Sequence, residues 1–218
     1  GRHPHRPARP GDRMSSREEL ILEGVVSTLN PGHEDGVSED VNISPMGPRV
    51  TGAMDSLLLK PYTSSRTYAN LKRHGEGVFH VTDDMDLIAR ATLGRAEPRL
   101  LPTRKITGRY IEGCCRFYEF RVEELDDSEE RTRIRCRVVH TERLRDLLGF
   151  NRARNAVLEA AILASRTAFL PHEDILRQLD ELEVLVDKTG AQTEEEAFRM
   201  LRNHVEEARR EAAGEETR

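Results

Sequence analysis

Arg133-Ile134-Arg135-Cys136-Arg137-Val138 alternates a charged with an apolar side chain at every step. Successive side chains of a strand point to opposite faces, so this run builds a strand with Ile134, Cys136 and Val138 on a core and three arginines in solvent. It pairs with Tyr110 to Leu125 through the acidic turn Asp126-Asp127-Ser128-Glu129-Glu130. After Gly149 the apolar period changes from that of a strand to that of a helix. Asn151 to Phe169 carries Ala153, Val157, Ala160, Ala161, Ala164 and Ala168 on one stripe, a face of small residues suited to close packing. Pro171 opens a second helix, with Ile175, Leu179, Leu182 and Val186 on one side, which stops near Gly190. Thr193 and Glu196 read as the capping box of a third, with Leu201, Val205, Ala208 and Ala212 inward. A mainly β body followed by a three-helix domain, α+β in class, is the architecture this pattern predicts.

The segments before the alternating strand fit such a body. Leu20 to Thr28 is strand-like and ends at Asn30-Pro31-Gly32, a turn signal. Val37 to Ser44 and Val50 to Lys60 are two further strands. Pro45, Gly47 and Pro48 between them predict an irregular connection that offers backbone groups to a ligand. Ser64 to His74 is a short helix capped by Thr63 or Ser64 and closed by Gly75. Gly77 to Thr82 is a buried strand, Asp83 or Asp84 caps a helix running to Leu93, and residues 95–105 read as a loop. The expected organisation is a disordered basic tail over 1–17, a β-rich domain over 18–148, a helical domain over 149–213 and a second tail over 214–218. The first thirteen residues hold four Arg and three Pro and precede Met14, which suits a natural start.

Composition removes several function classes. The chain has 218 residues, 37% apolar and 33% charged, with a formal charge of −5. That charge argues against non-specific nucleic-acid binding, which needs a basic face. No apolar run approaches the ~18 residues of a membrane helix. Cys114, Cys115 and Cys136 have no zinc-type spacing, and as strand neighbours Cys114 and Cys115 would face apart. Three small buried thiols in a reduced, cytoplasmic protein are expected.

Chemistry concentrates between Asn42 and Asp84. Tyr62 to Leu71 (Y-T-S-S-R-T-Y-A-N-L) reads as a polar turn opening a helix, where free backbone N–H groups, several hydroxyls and one guanidinium converge. Such a convergence suits a phosphate dianion. The simpler use of the same residues is a helix cap followed by a surface arginine.

Three motifs carry a resemblance. Asn42-Ile43-Ser44-Pro45-Met46-Gly47, Ser65-Arg66-Thr67-Tyr68-Ala69-Asn70-Leu71 and Gly77-Val78-Phe79-His80-Val81 resemble, in order and spacing, the N-I-x-P-x-S loop, K-D-T-x-x-N-I helix start and G-x-F-V-V-N-V strand of flavin reductases. The β body is thus similar to the FMN-binding split β-barrel of the flavin reductase and pyridoxamine-phosphate oxidase superfamily. More narrowly, P-M-G, P-Y-T-S-S-R-T-Y-A-N-L, V-T-D-D and G-F-N-R-A-R-N-A-V-L-E-A-A-I resemble the archaeal-type flavoprotein family called domain of unknown function 447, which adds a C-terminal helical domain. The likeness runs from about Leu20 to Glu207.

The resemblance implies FMN as cofactor. Thr63, Ser64, Ser65, Arg66 and Thr67 would surround its phosphate, with Asn70 one turn on, while Ser44, Pro45, Met46 and Gly47 would run along the isoalloxazine. His80, where flavin reductases have Asn, either bonds the flavin or sits in the core; Thr82 lies within reach of the cofactor. Asn151, Arg152 and Asn155 share a helix start, either solvated or closing over the flavin. The resemblance also implies a homodimer with flavin between subunits and a transiently bound NAD(P)H. No nucleophile with a paired base, metal set or Gly-rich dinucleotide fingerprint is present, so no catalytic residue is assigned. Two functions follow: a flavin reductase-like oxidoreductase, or a non-catalytic FMN carrier or flavin-binding regulatory module.

Overall fold

The structure, a computed structural model, describes residues 19–32 and 40–215. The expected tail over 1–17 and the start of the strand placed at Val37 lie outside the described residues. Ten strands and five helices follow in order among the described residues. They are β1 (Leu20–Ile21), β2 (Gly24–Leu29), β3 (Val41–Met46), β4 (Arg49–Val50), β5 (Ser56–Leu59), α1 (Arg66–His74), β6 (Glu76–Val81), α2 (Met85–Thr92), β7 (Leu100–Pro102), β8 (Arg109–Ile111), β9 (Arg116–Asp126), β10 (Arg133–Arg143), α3 (Arg152–Ala164), α4 (His172–Thr189) and α5 (Gln192–Glu215).

Eight of the strands form one antiparallel sheet in the order β1-β4-β5-β10-β9-β6-β2-β3, curled into a half-barrel. β7 and β8 make a separate hairpin. The alternation in β10 does what its period requires: Ile134 and Cys136 are buried while Arg133, Arg135 and Arg137 are exposed. Arg135 and Arg137 meet Glu124 and Glu123 across β9, at 3.4 and 2.7 Å, so the arginine row is a solvated face. β2 is buried along its whole length. Its Val26 packs with Leu57, Leu59, Leu71, Phe79, Phe120 and Ile134, whereas Val25 faces the second core.

That second core joins barrel and helices. Met85, Leu87 and Ile88 of α2 pack in one cluster with Ala153 and Val157 of α3, Ile175 and Leu179 of α4, and Leu201 and Val205 of α5. The alanine stripe of α3 is buried at Ala153, Ala156, Ala160, Ala161 and Ala164, so the helical unit sits directly on the barrel.

Several expectations are corrected. The strand placed over Val50 to Lys60 is two strands, because Thr51 to Asp55 turns: Met54 has φ 53°, and its N–H donates to the Thr51 carbonyl at 3.1 Å. Tyr110 to Leu125 is likewise divided, since Gly113 at φ 87° takes the chain through a turn that carries Cys114 and Cys115. These two are buried in that turn, not in a strand, and all three cysteines are free. Ser44, Pro45 and Met46 continue β3 rather than forming an irregular loop. Proline is tolerated there because β3 is the last strand of the sheet. Residues 100–102 inside the expected loop pair with β8. The third C-terminal helix starts at Gln192, and the side chain that reaches back to an unpaired N–H is Glu194, at 3.1 Å from Ala191, not Glu196. Its last described turn runs to Glu215.

Candidate functional site

The end of β3 and the start of α1 come together across a cleft of about 800 Å³. One wall is built from Ser44, Pro45, Met46 and Gly47, with Gly24 of β2 beside them. β3 has no further strand on its outer side among the described residues, so its edge presents backbone N–H and C=O groups. Gly47 is packed tightly: a Cβ there would lie 2.7 Å from Ile21 Cγ2 and 2.9 Å from a Glu23 oxygen.

The next wall is the entry to α1. Ser65 is the N-cap (φ −81°, ψ 148°), and its hydroxyl accepts from the Tyr68 N–H at 3.2 Å. Thr67 is buried, and its hydroxyl accepts from Asn42 Nδ2 at 3.0 Å. Both line the cleft. The first turn holds no acidic residue, so the positive end of the helix is uncompensated.

Lys60, Tyr62 and Arg131 complete this end. Residues 61–63 are laced to 130–132 by three hydrogen bonds, two of them between backbone groups: Thr63 N–H to the Glu130 carbonyl at 2.8 Å, and Thr132 N–H and hydroxyl to the Pro61 carbonyl at 3.0 and 2.7 Å. The lacing sets the Arg131 guanidinium over the Tyr62 ring, 5.5 Å from its centroid. Neither Lys60 nor Arg131 has an ion pair with a described carboxylate, so two cations line the cleft without an anionic partner. Reading the sequence missed both. Arg131 follows an acidic run that looks like a solvated turn, and only long-range pairing reveals its address.

The remaining wall belongs to the helices: Ile88, Ala91 and Thr92 of α2, Leu158, Ala161 and Ile162 of α3, and Ser165, Arg166, Phe169 and Leu170 beyond it. The helical unit is therefore part of the cleft. Glu23 is its only carboxylate among the lining residues, and burial, then the neighbouring Glu159, pushes its pKa up.

Of the residues singled out in the sequence, Ser44, Pro45, Met46, Gly47, Ser65 and Thr67 line the cleft. Thr63, Ser64 and Arg66 are exposed beside the α1 entry and do not line it. Asn70 is buried and donates to the Thr28 hydroxyl and Asn30 Oδ1 at 3.0 and 3.2 Å, tying α1 to β2. His80 is fully buried, with Nδ1 at 3.0 Å from the Val25 carbonyl and Nε2 accepting from the Ile111 N–H at 3.0 Å. Both ring nitrogens are spent in the core, so of the two roles open to His80 it takes the structural one. Thr82 accepts from the Asp84 N–H at 3.1 Å, and Asp84 caps α2 through Leu87 N–H at 3.1 Å. Asn151 caps α3 and donates to the Thr189 carbonyl, while Arg152 and Asn155 are exposed away from the cleft. No cluster of metal-binding side chains exists among the described residues. No described helix is long and apolar enough to cross a membrane.

Residues 23–145 match the model for the N-terminal domain of a protein of unknown function, DUF447, and residues 151–203 match that family's second model. The chain belongs to the DUF447 family. An FMN-bound DUF447 protein from Methanosarcina mazei superposes with a TM-score of 0.72 at 21% identity, over 85% of this chain and 95% of that one. The flavin reductase of styrene monooxygenase from Pseudomonas putida gives 0.45 at 13%, over 57% and 80%. An FMN-binding protein from Thermus thermophilus gives 0.46 at 14%, over 65% and 80%. No curated protein matches the sequence. The DUF447 architecture, a split-barrel body with a C-terminal helical unit, is thus the fold of this chain.

Proposed function

We propose that this DUF447 protein is an FMN-binding flavoprotein of the flavin reductase type, an oxidoreductase that loads FMN into the cleft between β3, α1 and α3. The observation that carries this reading is the pairing of two cations without an anionic partner, Lys60 and Arg131, with the uncompensated start of α1 at one end of a single cleft whose other side is a strand edge left open among the described residues. A phosphate fits the first feature, held by the guanidinium fork and by free N–H groups. A polar ring edge fits the second, since the open strand from Ser44 to Gly47 leaves backbone groups along its outer side, Pro45 contributing a carbonyl only. The M. mazei relative, described as FMN-bound, supports the same assignment.

When bound, FMN supplies hydride or electron transfer. The chain's own part is to hold the phosphate, orient the ring and exclude water on the helical side with Ile88, Leu158 and Ile162. A nicotinamide donor would bind transiently, in keeping with a cleft open to solvent. A homodimer is part of the proposal: Leu20, Ile21, Leu147, Leu148 and Phe150 are large apolar side chains that the single chain leaves exposed. Three buried, unbridged cysteines support a reducing compartment, the cytoplasm.

The test is a visible spectrum of the purified protein, followed by titration with FMN and with riboflavin. A yellow preparation, or tight FMN binding that riboflavin fails to match, supports the site. A colourless protein indifferent to FMN sinks it. Anaerobic addition of NADH or NADPH then separates an oxidoreductase, whose flavin bleaches, from a carrier, whose flavin does not.

A further inference from the structure

The cleft is larger and more varied than one mononucleotide needs. Small-molecule sites span roughly 300–1,000 Å³, and about 800 Å³ lies near the top of that range. With the phosphate end defined by Lys60, Arg131 and the α1 start, the helical wall remains. Its chemistry differs from the rest of the site. Ala91 and Ala161 leave a flat apolar floor, and Phe169 and Leu170 stand at the rim with 78% and 36% of their surface exposed. Arg166 faces the same space.

Arg166 is held in place by its backbone. Its N–H donates to the Leu163 carbonyl at 3.0 Å, and its own carbonyl accepts from Phe169 and Leu170 N–H at 2.9 and 3.0 Å. These bonds wrap residues 165–170 into a compact corner between α3 and α4. The Ser165 hydroxyl donates to the Ile162 carbonyl at 2.7 Å, which leaves the guanidinium as the free donor of the corner. In the same helical unit Arg154, Arg177, Arg202 and Arg209 each hold a carboxylate within 3.3 Å. Arg166, like Arg152, Arg199 and Arg210, holds none among the described residues, and of these four it alone lines the cleft. Glu23, packed against Gly47 and close enough to Glu159 of α3 to feel its charge, is the one carboxylate among the lining residues, so Arg166 is the group on the helical wall that attracts an anion.

We propose that the Arg166–Phe169–Leu170 corner recognises the second ligand of this site, a flat aromatic or heteroaromatic molecule bearing an anionic group. Flatness follows from two surfaces, the apolar floor of α2 and α3 and the flavin ring that the proposed function places opposite, on which the inference rests. The anionic group follows from an uncommitted guanidinium at the edge of an otherwise apolar wall.

The experiment uses the FMN-loaded full chain and three probes, 2-naphthoate, 2-naphthyl phosphate and the neutral 2-naphthamide, each followed by its perturbation of the visible flavin band. Binding of at least one anionic probe, tighter than the amide, is expected, and the two anions distinguish carboxylate from phosphate. Arg166→Ala should weaken the preferred anion by about tenfold or more and leave FMN affinity within about twofold. Arg166→Lys should retain part of the preference. Phe169→Ala should weaken anion and amide alike without altering oligomeric state. The proposal is overturned if no probe perturbs the flavin, if Arg166→Ala binds the anion as the wild type does, or if that variant loses FMN itself. A change in oligomeric state in Phe169→Ala also overturns it, because the rim would then be covered by a second copy of the chain. Failure of the FMN assignment is seen separately, as a wild-type protein that never turns yellow.

Discussion

The Asp83 carboxylate lies 2.5 Å from Arg145 Nη2 and also accepts the Leu148 N–H at 2.9 Å. With Arg154 Nη1 at 3.5 Å it ties the entry of α2 to residues 145–148 and to the first turn of α3. Barrel and helical unit are thus joined at one buried carboxylate, 8% exposed. Burial alone would raise its pKa, but Arg145 and the Leu148 N–H outweigh that and hold it at about 2. An unfolded Asp titrates near ~3.9, so on acidification the unfolded chain takes the proton first. The contribution is complete above about pH 4 and gone near pH 2. Asp83→Asn should therefore cost about 2 kcal/mol at neutral pH. Denaturant unfolding at pH 7 and pH 3 checks it: the difference between variant and wild type should shrink at the lower pH.

Arg131 and Arg66 should differ in their effect on FMN binding. Arg131 lines the cleft over Tyr62, whereas Arg66 is exposed outside it. Arg131→Ala should weaken FMN by about ten- to a hundredfold while leaving riboflavin affinity nearly unchanged, as expected for a lost phosphate contact of ~1.5–3 kcal/mol. Arg66→Ala should cost less than threefold, roughly 0.6 kcal/mol. Fluorescence titration with both ligands reads the pattern. If Arg66→Ala is the damaging variant, the phosphate lies outside the cleft.

His80 gives the fold a pH slope. Burial, opposed only weakly by the Val25 carbonyl, lowers its pKa to about 4. The unfolded chain protonates near ~6.5, so between those values the unfolded state holds more protons and stability rises with pH. The slope integrates to about 3 kcal/mol across the window. Thermal unfolding from pH 4.5 to pH 7 should show a rising Tm in the wild type. A His80→Gln variant should be less stable at pH 7, with a flatter profile.

How much was legible follows from which forces act locally. The β10 alternation, the αL cap at Gly75 and the Asp84 cap are set within a few residues, and each stands where the sequence puts it. The hydroxyl run at 63–67 announces a special turn, yet only the α1 register decides that Ser65 and Thr67 face inward while Thr63, Ser64 and Arg66 face solvent. Arg131 was illegible because its position depends on Thr132 pairing with Pro61, 71 residues away in sequence, where the β5–β10 ladder is continued. The role of the helical unit was hidden for the same reason. Nothing in the α3 stripe says that its far end closes a cleft against β3.

Gly24 is where close approach is demanded rather than merely allowed. It lines the cleft and pairs with Met46. A Cβ there would collide with the His80 carbonyl oxygen and come within 2.6 Å of Phe79 Cε2. Neither neighbour can yield: the carbonyl belongs to β6, which pairs with β2 on one side and β9 on the other, and Phe79 is fully buried. Gly24→Ala must push β2 outward and displace β3 with it. The expected cost is about 1–3 kcal/mol, together with weakened FMN binding, since the shifted edge carries Ser44 to Gly47. Gly52→Ala is the control. It has open space around its Cβ position and no left-handed φ, so its stability should stay within about 0.5 kcal/mol of wild type. Paired denaturant melts and FMN titrations decide the matter: equal behaviour of the two variants would mean that the β2–β6 approach is looser than these distances require.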